Sequence, residues 1–235
     1  NGDGRLDLVT ALGTGMGVIP NNASFSFGMP VISSTSPYKF KLADFNNDGK
    51  PDVGMILDQS ELYEVEVATA LGLGDGSFGP AQTQRGSNTA ESLRISDDLD
   101  VADFDGDGHV DLLSFNYASN DISVFLNTGS GALAPQQRYG IGNTPALGTV
   151  GDFNGDGRPD VAASIGLPPS GLDNAIVLLL SVASAPVSLV VDAEGNGVLF
   201  KLHNERLRRC DALRSRHRCA LLAQALAQRV AVAVR

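Results

Sequence analysis

The chain has 235 residues, with 27 acidic and 17 basic side chains and a formal net charge of −10. A hydrophobic fraction of 43% is too high for a disordered chain, and the length allows one domain or two small ones. The acidity argues against nucleic acid as a partner, because phosphate binding needs an excess of Lys and Arg.

The charge is not spread evenly. Residues 201–235 hold nine Lys and Arg against Glu205 and Asp211, a net of +7, which leaves −17 on residues 1–200. Cys210 and Cys219 both lie in the basic segment, so no disulfide framework is expected in the acidic part. The chain starts at Asn1 with no basic-then-apolar leader, and is expected to be a fragment or a processed product.

In chain order, Asn1-Gly2-Asp3-Gly4-Arg5-Leu6-Asp7 is followed by a short apolar run and by Gly13-Thr14-Gly15-Met16-Gly17. The glycines lack dinucleotide-binding spacing and a following helix, and read as a turn. Asn22-Ala23-Ser24 is a glycosylation sequon. The first complete motif is Asp44-Phe45-Asn46-Asn47-Asp48-Gly49-Lys50-Pro51-Asp52, followed by apolar residues 53–57, alternating residues 64–69 and a glycine-rich turn at 72–76. The second is Asp103-Phe104-Asp105-Gly106-Asp107-Gly108-His109-Val110-Asp111, with runs at 112–115 and 121–126 and a turn at 127–131. The third is Asp152-Phe153-Asn154-Gly155-Asp156-Gly157-Arg158-Pro159-Asp160, with runs at 161–165 and 175–180. The opening residues repeat the motif without its first two positions, so the four copies are spaced 45, 59 and 49 residues apart. A further apolar run precedes each complete motif. About four short strands in roughly 50 residues is the arithmetic of a β-propeller blade.

The loops have the chemistry of a calcium site. Ca²⁺ takes oxygen ligands, and alternate residues of a tight loop can aim them inward. Positions 1, 3 and 5 are Asp44, Asn46, Asp48; Asp103, Asp105, Asp107; and Asp152, Asn154, Asp156. Position 6 is always Gly, as a sharp turn needs. Position 7 varies among Lys50, His109 and Arg158, which fits a ligand that offers only its backbone carbonyl. Position 9 is Asp52, Asp111 or Asp160. An EF-hand would need a bidentate Glu at position 12 and flanking helices; position 12 is Met55, Ser114 or Ala163, and the flanks read as strands. Asp, Asn and Gly also make good turns without a metal, but that does not explain acids at positions 1, 5 and 9 in three copies. The loop at Asp103 has four carboxylates and is expected to bind most strongly. Asn1, Asp3 and Asp7, lacking position 1, are expected to bind weakly or not at all.

These loops and the turn Gly74-Asp75-Gly76-Ser77-Phe78-Gly79-Pro80 resemble the FG-GAP or VCBS-type repeats of integrin-α-like propellers over roughly residues 1–185. The Phe-Gly pair becomes Leu133-Ala134 in the next unit. The resemblance implies an all-β fold, a partial propeller of about three to four four-stranded blades, since seven blades would need about 350 residues. It also implies a secreted or cell-surface protein that uses Ca²⁺ and binds a protein or carbohydrate ligand, as in adhesion. An enzymatic role is not expected: His109 reads as a carbonyl ligand with an exposed ring, and no base-nucleophile partner accompanies it. The alternatives are an accessory propeller of an extracellular polysaccharide-degrading enzyme and a purely structural spacer. An open piece would expose edge strands that invite association.

The apolar stretch 175–191 is interrupted by Ser181, Ser184, Pro186 and Ser188 and is too short for a good membrane span, so no membrane insertion is expected. Residues 186–200 read as the start of a following β domain, with Asp192, Glu194, Asn196 and Gly197 as a further oxygen-ligand loop whose position 9, Phe200, cannot ligate. Residues 201–235 read as a basic tail, disordered or helical, or as a reading-frame artefact.

Overall fold

The computed structural model describes residues 1–13, 15–24, 26–57, 64–88, 98–117, 119–142, 144–145, 147–167, 173–181, 187–192, 198–202 and 208–209. Among the described residues the regular structure is all β, and no helix is long and apolar enough to cross a membrane. Four sheets follow one another along the chain, each a meander of sequential strands.

The first sheet holds β1 (Leu8–Leu12), β2 (Gly15–Ile19) and β3 (Val31–Ser33). The second holds β4 (Pro37–Ala43), β5 (Asp52–Leu57), β6 (Glu64–Ala70) and β7 (Gln82–Asn88), paired antiparallel throughout. The third holds β8 (Asp98–Ala102), β9 (Asp111–Asn116), β10 (Asp121–Phe125) and β11 (Gln137–Gly140). The fourth begins with β12 (Gly148–Gly151), β13 (Asp160–Leu167) and β14 (Asp173–Leu180). These are the strands of propeller blades, and each complete nine-residue motif is the loop between the first and second strand of its sheet.

The fourth sheet does not stop at residue 185. β15 (Val187–Asp192) pairs antiparallel with β14, from Leu180 opposite Val187 to Ala175 opposite Asp192. β16 (Val198–Leu202) follows, then the two-residue β17 (Arg208–Arg209). The boundary expected at 185/186 thus falls between neighbouring strands of one sheet. Residues 193–197 and 210–235, with the expected oxygen-ligand loop and most of the basic tail, lie outside the described residues.

The chain divides into two compact units, residues 1–114 with 123–138, and residues 115–122 with 139–235. In the first unit, alternation along the strands sends apolar groups to both faces of the second sheet. Val53, Met55, Ala68 and Ala70 join Met16 in one buried cluster, with Val9, Phe40, Leu57, Phe78 and Ala81 packed around it. Ile56 and Val67 join Leu99, Leu112 and Phe125 in another, against which Leu133 packs. This two-sided burial explains why β5, β9 and β10 bury nearly every residue, although 121–126 alternates polar and apolar. Removing such a fully buried Leu, Ile or Met side chain costs about 2–5 kcal/mol. In the second unit, Phe115 is fully buried and its ring fills the space beside Gly148, where a Cβ would lie 2.0 Å from Cε1.

Candidate metal centre

The three complete loops fold alike because the same side chains hold the same backbone groups. Position 1 turns its carboxylate onto the loop's own amides. Asp44 accepts the N–H of Asp48 at 3.1 Å and of Gly49 at 2.8 Å. Asp103 accepts from Gly106, Asp107 and Gly108, and Asp152 from Gly155, Asp156 and Gly157. Position 3 accepts the N–H of position 5: Asn46 from Asp48, Asp105 from Asp107, Asn154 from Asp156. Position 5 accepts the N–H of position 7: Asp48 from Lys50, Asp107 from His109, Asp156 from Arg158. Each is a short side-chain-to-backbone turn of the kind Asn and Asp favour. Position 6 has φ of 81°, 88° and 82° at Gly49, Gly108 and Gly157, a left-handed conformation that costs glycine nothing.

Position 9 has a second role that its residue type does not reveal. Asp52, Asp111 and Asp160 are all 0% exposed. One oxygen accepts the position 2 amide: Asp52 Oδ2 from Phe45 at 2.8 Å, Asp111 Oδ2 from Phe104 at 2.8 Å, Asp160 Oδ2 from Phe153 at 3.0 Å. The other accepts an amide just beyond the third strand of the same sheet: Asp52 Oδ1 from Gly72, Asp111 Oδ1 from Asn127, Asp160 Oδ1 from Ser181. The opening copy repeats the second of these bonds, with Asp7 Oδ1 accepting the Asn21 N–H at 2.8 Å. Each position 9 carboxylate therefore latches its loop to the next turn. The only hint in the sequence is the glycine-rich turn that follows the first two complete motifs, 20 residues after Asp52 and 16 after Asp111.

The latched turns are themselves repeated. Asn21 bridges Phe27, Gly72 bridges Phe78 and Asn127 bridges Leu133. The closing bonds match: Gly28 N donates to Pro20 O, Gly79 N to Leu71 O and Ala134 N to Leu126 O. Asn127 also ties two motifs together, its Nδ2 donating to Phe45 O at 2.6 Å and to Val110 O at 3.0 Å.

Electrostatics separates the carboxylates. Burial pushes Asp111 up to about 6, against the two amides it accepts, and the charges of Asp105 and Asp107 add to the rise. Burial also raises Asp52 and Asp160. Asp48 is held below the usual range first by the Lys50 amide, and Asp152 first by the Gly157 amide.

Ligand atoms of Asp103, Asp105 and Asp111 lie within 4.8 Å of one another, the one such gathering of acidic, His or Cys groups among the described residues. Asp107 stands outside it. The other two loops carry Asn46 and Asn154 at position 3. The group's residues fit Ca²⁺ by their chemistry: all are hard oxygen donors, and three carboxylates brought this close repel unless a cation or proton intervenes. Lys50, His109 and Arg158 stand at position 7, their amides committed to position 5. The His109 ring is half-buried rather than exposed. Its Nδ1 lies 3.0 Å from Asn47 Nδ2, and its ring fills the space beside Gly129.

A family model described as an FG-GAP-like repeat matches residues 1–55 and 103–163, a span that includes all four copies of the motif. No curated protein matches the chain. Among solved structures it is similar to an Agrocybe aegerita lectin described for specific recognition of non-reducing terminal N-acetylglucosamine. The identity is 15% and the TM-score 0.34, over 89% of this chain and 77% of the lectin. It is also similar to the V. cholerae biofilm matrix protein Bap1, at 16% identity and a TM-score of 0.36, over 84% of this chain and 36% of Bap1. With three complete motifs folded alike and the family match falling on every copy, residues 1–55 and 103–163 of the chain are FG-GAP-like repeats.

Proposed function

We propose that this chain is a calcium-stabilised, non-catalytic repeat module of a secreted or cell-surface protein that binds a protein or glycan ligand. One observation carries the calcium reading: Asp103, Asp105 and Asp111 bring ligand oxygens within 4.8 Å of one another in the loop with the most carboxylates. Three negative charges there cost stability that a divalent cation would offset. The match of residues 1–55 and 103–163 to FG-GAP-like repeats supports the ligand-binding role. The non-catalytic reading is supported by the loop side chains, whose polar atoms hold backbone amides at positions 1, 3, 5 and 9.

Affinity is expected on the order of 10⁻⁴–10⁻³ M, the range of extracellular modules. Isothermal titration with Ca²⁺, with Mg²⁺ as the comparison, tests the metal. Saturable Ca²⁺ binding whose tightest site is lost in Asp105→Ala is the expected result, and no heat of binding at millimolar Ca²⁺ overturns it. A glycan array probed with and without Ca²⁺ tests the ligand class. Calcium-dependent binding supports a glycan, and an array without signal turns the search to protein partners.

A further inference from the structure

Position 4 decides whether a loop can rewrite its own position 3. The pair is Asn46-Asn47 in the first complete loop, Asp105-Gly106 in the second and Asn154-Gly155 in the third. An Asn side-chain amide can be attacked by the next backbone nitrogen. Glycine, with no Cβ, leaves that nitrogen unshielded and lets the backbone bend to reach. Only the third complete loop combines an Asn at position 3 with a Gly at position 4.

We propose that Asn154 is a deamidation site held in check by the closed loop, and that its aspartate product gives this loop the ligand set of the loop at residues 103–111. The Gly155 nitrogen loses its proton and bonds to Asn154 Cγ. The Cγ–Nδ2 bond breaks, and Nδ2 leaves with that proton as ammonia. Water then opens the five-membered imide at one of its two carbonyls, giving aspartate or isoaspartate. The sum is Asn plus water to Asp or isoaspartate plus ammonia, with no oxidant or reductant.

The folded loop opposes both halves of the attack. The Gly155 N–H is donated to Asp152 Oδ1 at 2.6 Å, so the nucleophile is tied to another partner. Asn154 Oδ1 accepts the Asp156 amide at 2.8 Å, and Nδ2 donates to Asp156 Oδ2 at 3.2 Å, which holds the amide carbon toward residue 156 rather than Gly155. The same restraint recurs at Gly106, whose N–H is donated to Asp103 Oδ1 at 2.7 Å. Reaction therefore requires the loop to open, and its rate follows the open population. The two products act in opposite directions. Aspartate adds a carboxylate to the ligand set, whereas isoaspartate inserts an extra backbone atom and breaks the alternation of donors.

The calcium arm of the test rests on the reading given under Proposed function. The purified chain and a synthetic peptide of residues 148–162 are aged at mildly alkaline pH, in chelator and in Ca²⁺. Peptide mapping follows the mass gain at residue 154, and isoaspartyl methyltransferase labelling separates the products. Conversion is expected to be fastest in the peptide and slower in the metal-free chain. It is expected to be about tenfold slower again at a Ca²⁺ concentration ten times Kd, because binding lowers the open population by that factor. Asn154→Gln removes the signal. No conversion at Asn154 in the metal-free chain once the peptide has fully converted overturns the proposal, as does a chain rate equal to that of the peptide. If the peptide-to-chain ordering holds but Ca²⁺ leaves the chain's rate unchanged, deamidation stands and the calcium reading of this loop fails.

Discussion

Asp111 Oδ1 accepts the backbone N–H of Asn127 at 2.7 Å, across 16 residues of sequence, while its Oδ2 accepts that of Phe104. One buried carboxylate thus fastens the candidate metal loop to the turn after β10. The Asn127 side chain carries the connection on to Val110 and Phe45. Ligand geometry and turn geometry are set by the same atom group, so a change in one is felt by the other.

Asp111→Asn replaces one of those acceptors with an NH₂ group facing an N–H donor. In chelator, where no metal contributes, the loss of a buried acceptor is expected to cost about 3 kcal/mol and to lower Tm by about 6–12 °C. Asp105→Asn, whose carboxylate accepts only within the exposed loop, is expected to change Tm in chelator by less than about a third of that. Equal chelator melting temperatures for Asp111→Asn and the parent chain would show that the latch contributes nothing.

Acid is expected to act differently with and without calcium. Burial lifts Asp111 to about 6, above the roughly 3.9 of an unfolded aspartate, so between those values the folded state binds more protons. The cost of its charge is present above 6 and is relieved as pH falls. Asp48 and Asp152, held low by backbone amides, act in the opposite sense, and their contribution is lost below the ordinary carboxylate range. The metal-free Tm is therefore expected to hold or rise from about pH 7 to about pH 5 and to fall below about pH 4. On the calcium reading proposed above, Asp111 ligates as the carboxylate, so the calcium-induced rise in Tm is expected to shrink over that upper interval. Differential scanning fluorimetry in both conditions checks this, and a calcium shift independent of pH from 7 to 5 would sink it.

The repeated loops were legible in the sequence because their signal lies in side-chain identity at fixed positions, repeated with Gly at position 6. The latch partners were not, because Gly72, Asn127 and Ser181 contribute a backbone N–H that any residue but proline can supply. The strand content was legible from the apolar runs. The burial of Asp121 and Ser123 in β10 was not, since alternation suggests one wet face while packing covers both. The continuation of the fourth sheet through β15 was hidden because the repeat resemblance ends near residue 185, while the strand pairing does not.

The repeated turn contains a strained residue. Gly74 and Gly129 have φ of 84° and 86°, and at the corresponding place in the first turn Ala23 has φ of 94°. A Cβ in that conformation costs on the order of 1–3 kcal/mol. Ala23→Gly is expected to recover about 1 kcal/mol of it after the added unfolded-state entropy of glycine. Gly129→Ala is expected to destabilise, since its Cβ would also lie 2.9 Å from His109 Nε2. Chemical denaturation of the two variants reads both signs, and an Ala23→Gly protein less stable than the parent would contradict the strain.

Charge count at position 3 is expected to rank the loops by calcium affinity. The loop at residues 103–111 has Asp105 where the others have Asn46 and Asn154, and the gathered carboxylates lie in that loop. Adding one carboxylate to an oxygen-ligand site is expected to tighten Ca²⁺ by on the order of tenfold, because affinity tracks ligand charge. Asn46→Asp is therefore expected to convert a weak site into one comparable with the Asp103 loop, and Asp105→Asn to do the reverse. Because Asn46 Oδ1 only accepts the Asp48 amide, a role an aspartate oxygen can take over, the exchange leaves the loop's backbone bonds in place. Calcium titration of the two variants and the parent would show one site moving to higher affinity in the first case and the tightest site lost in the second. An unchanged tightest site in Asp105→Asn would place the strongest calcium binding outside residues 103–111.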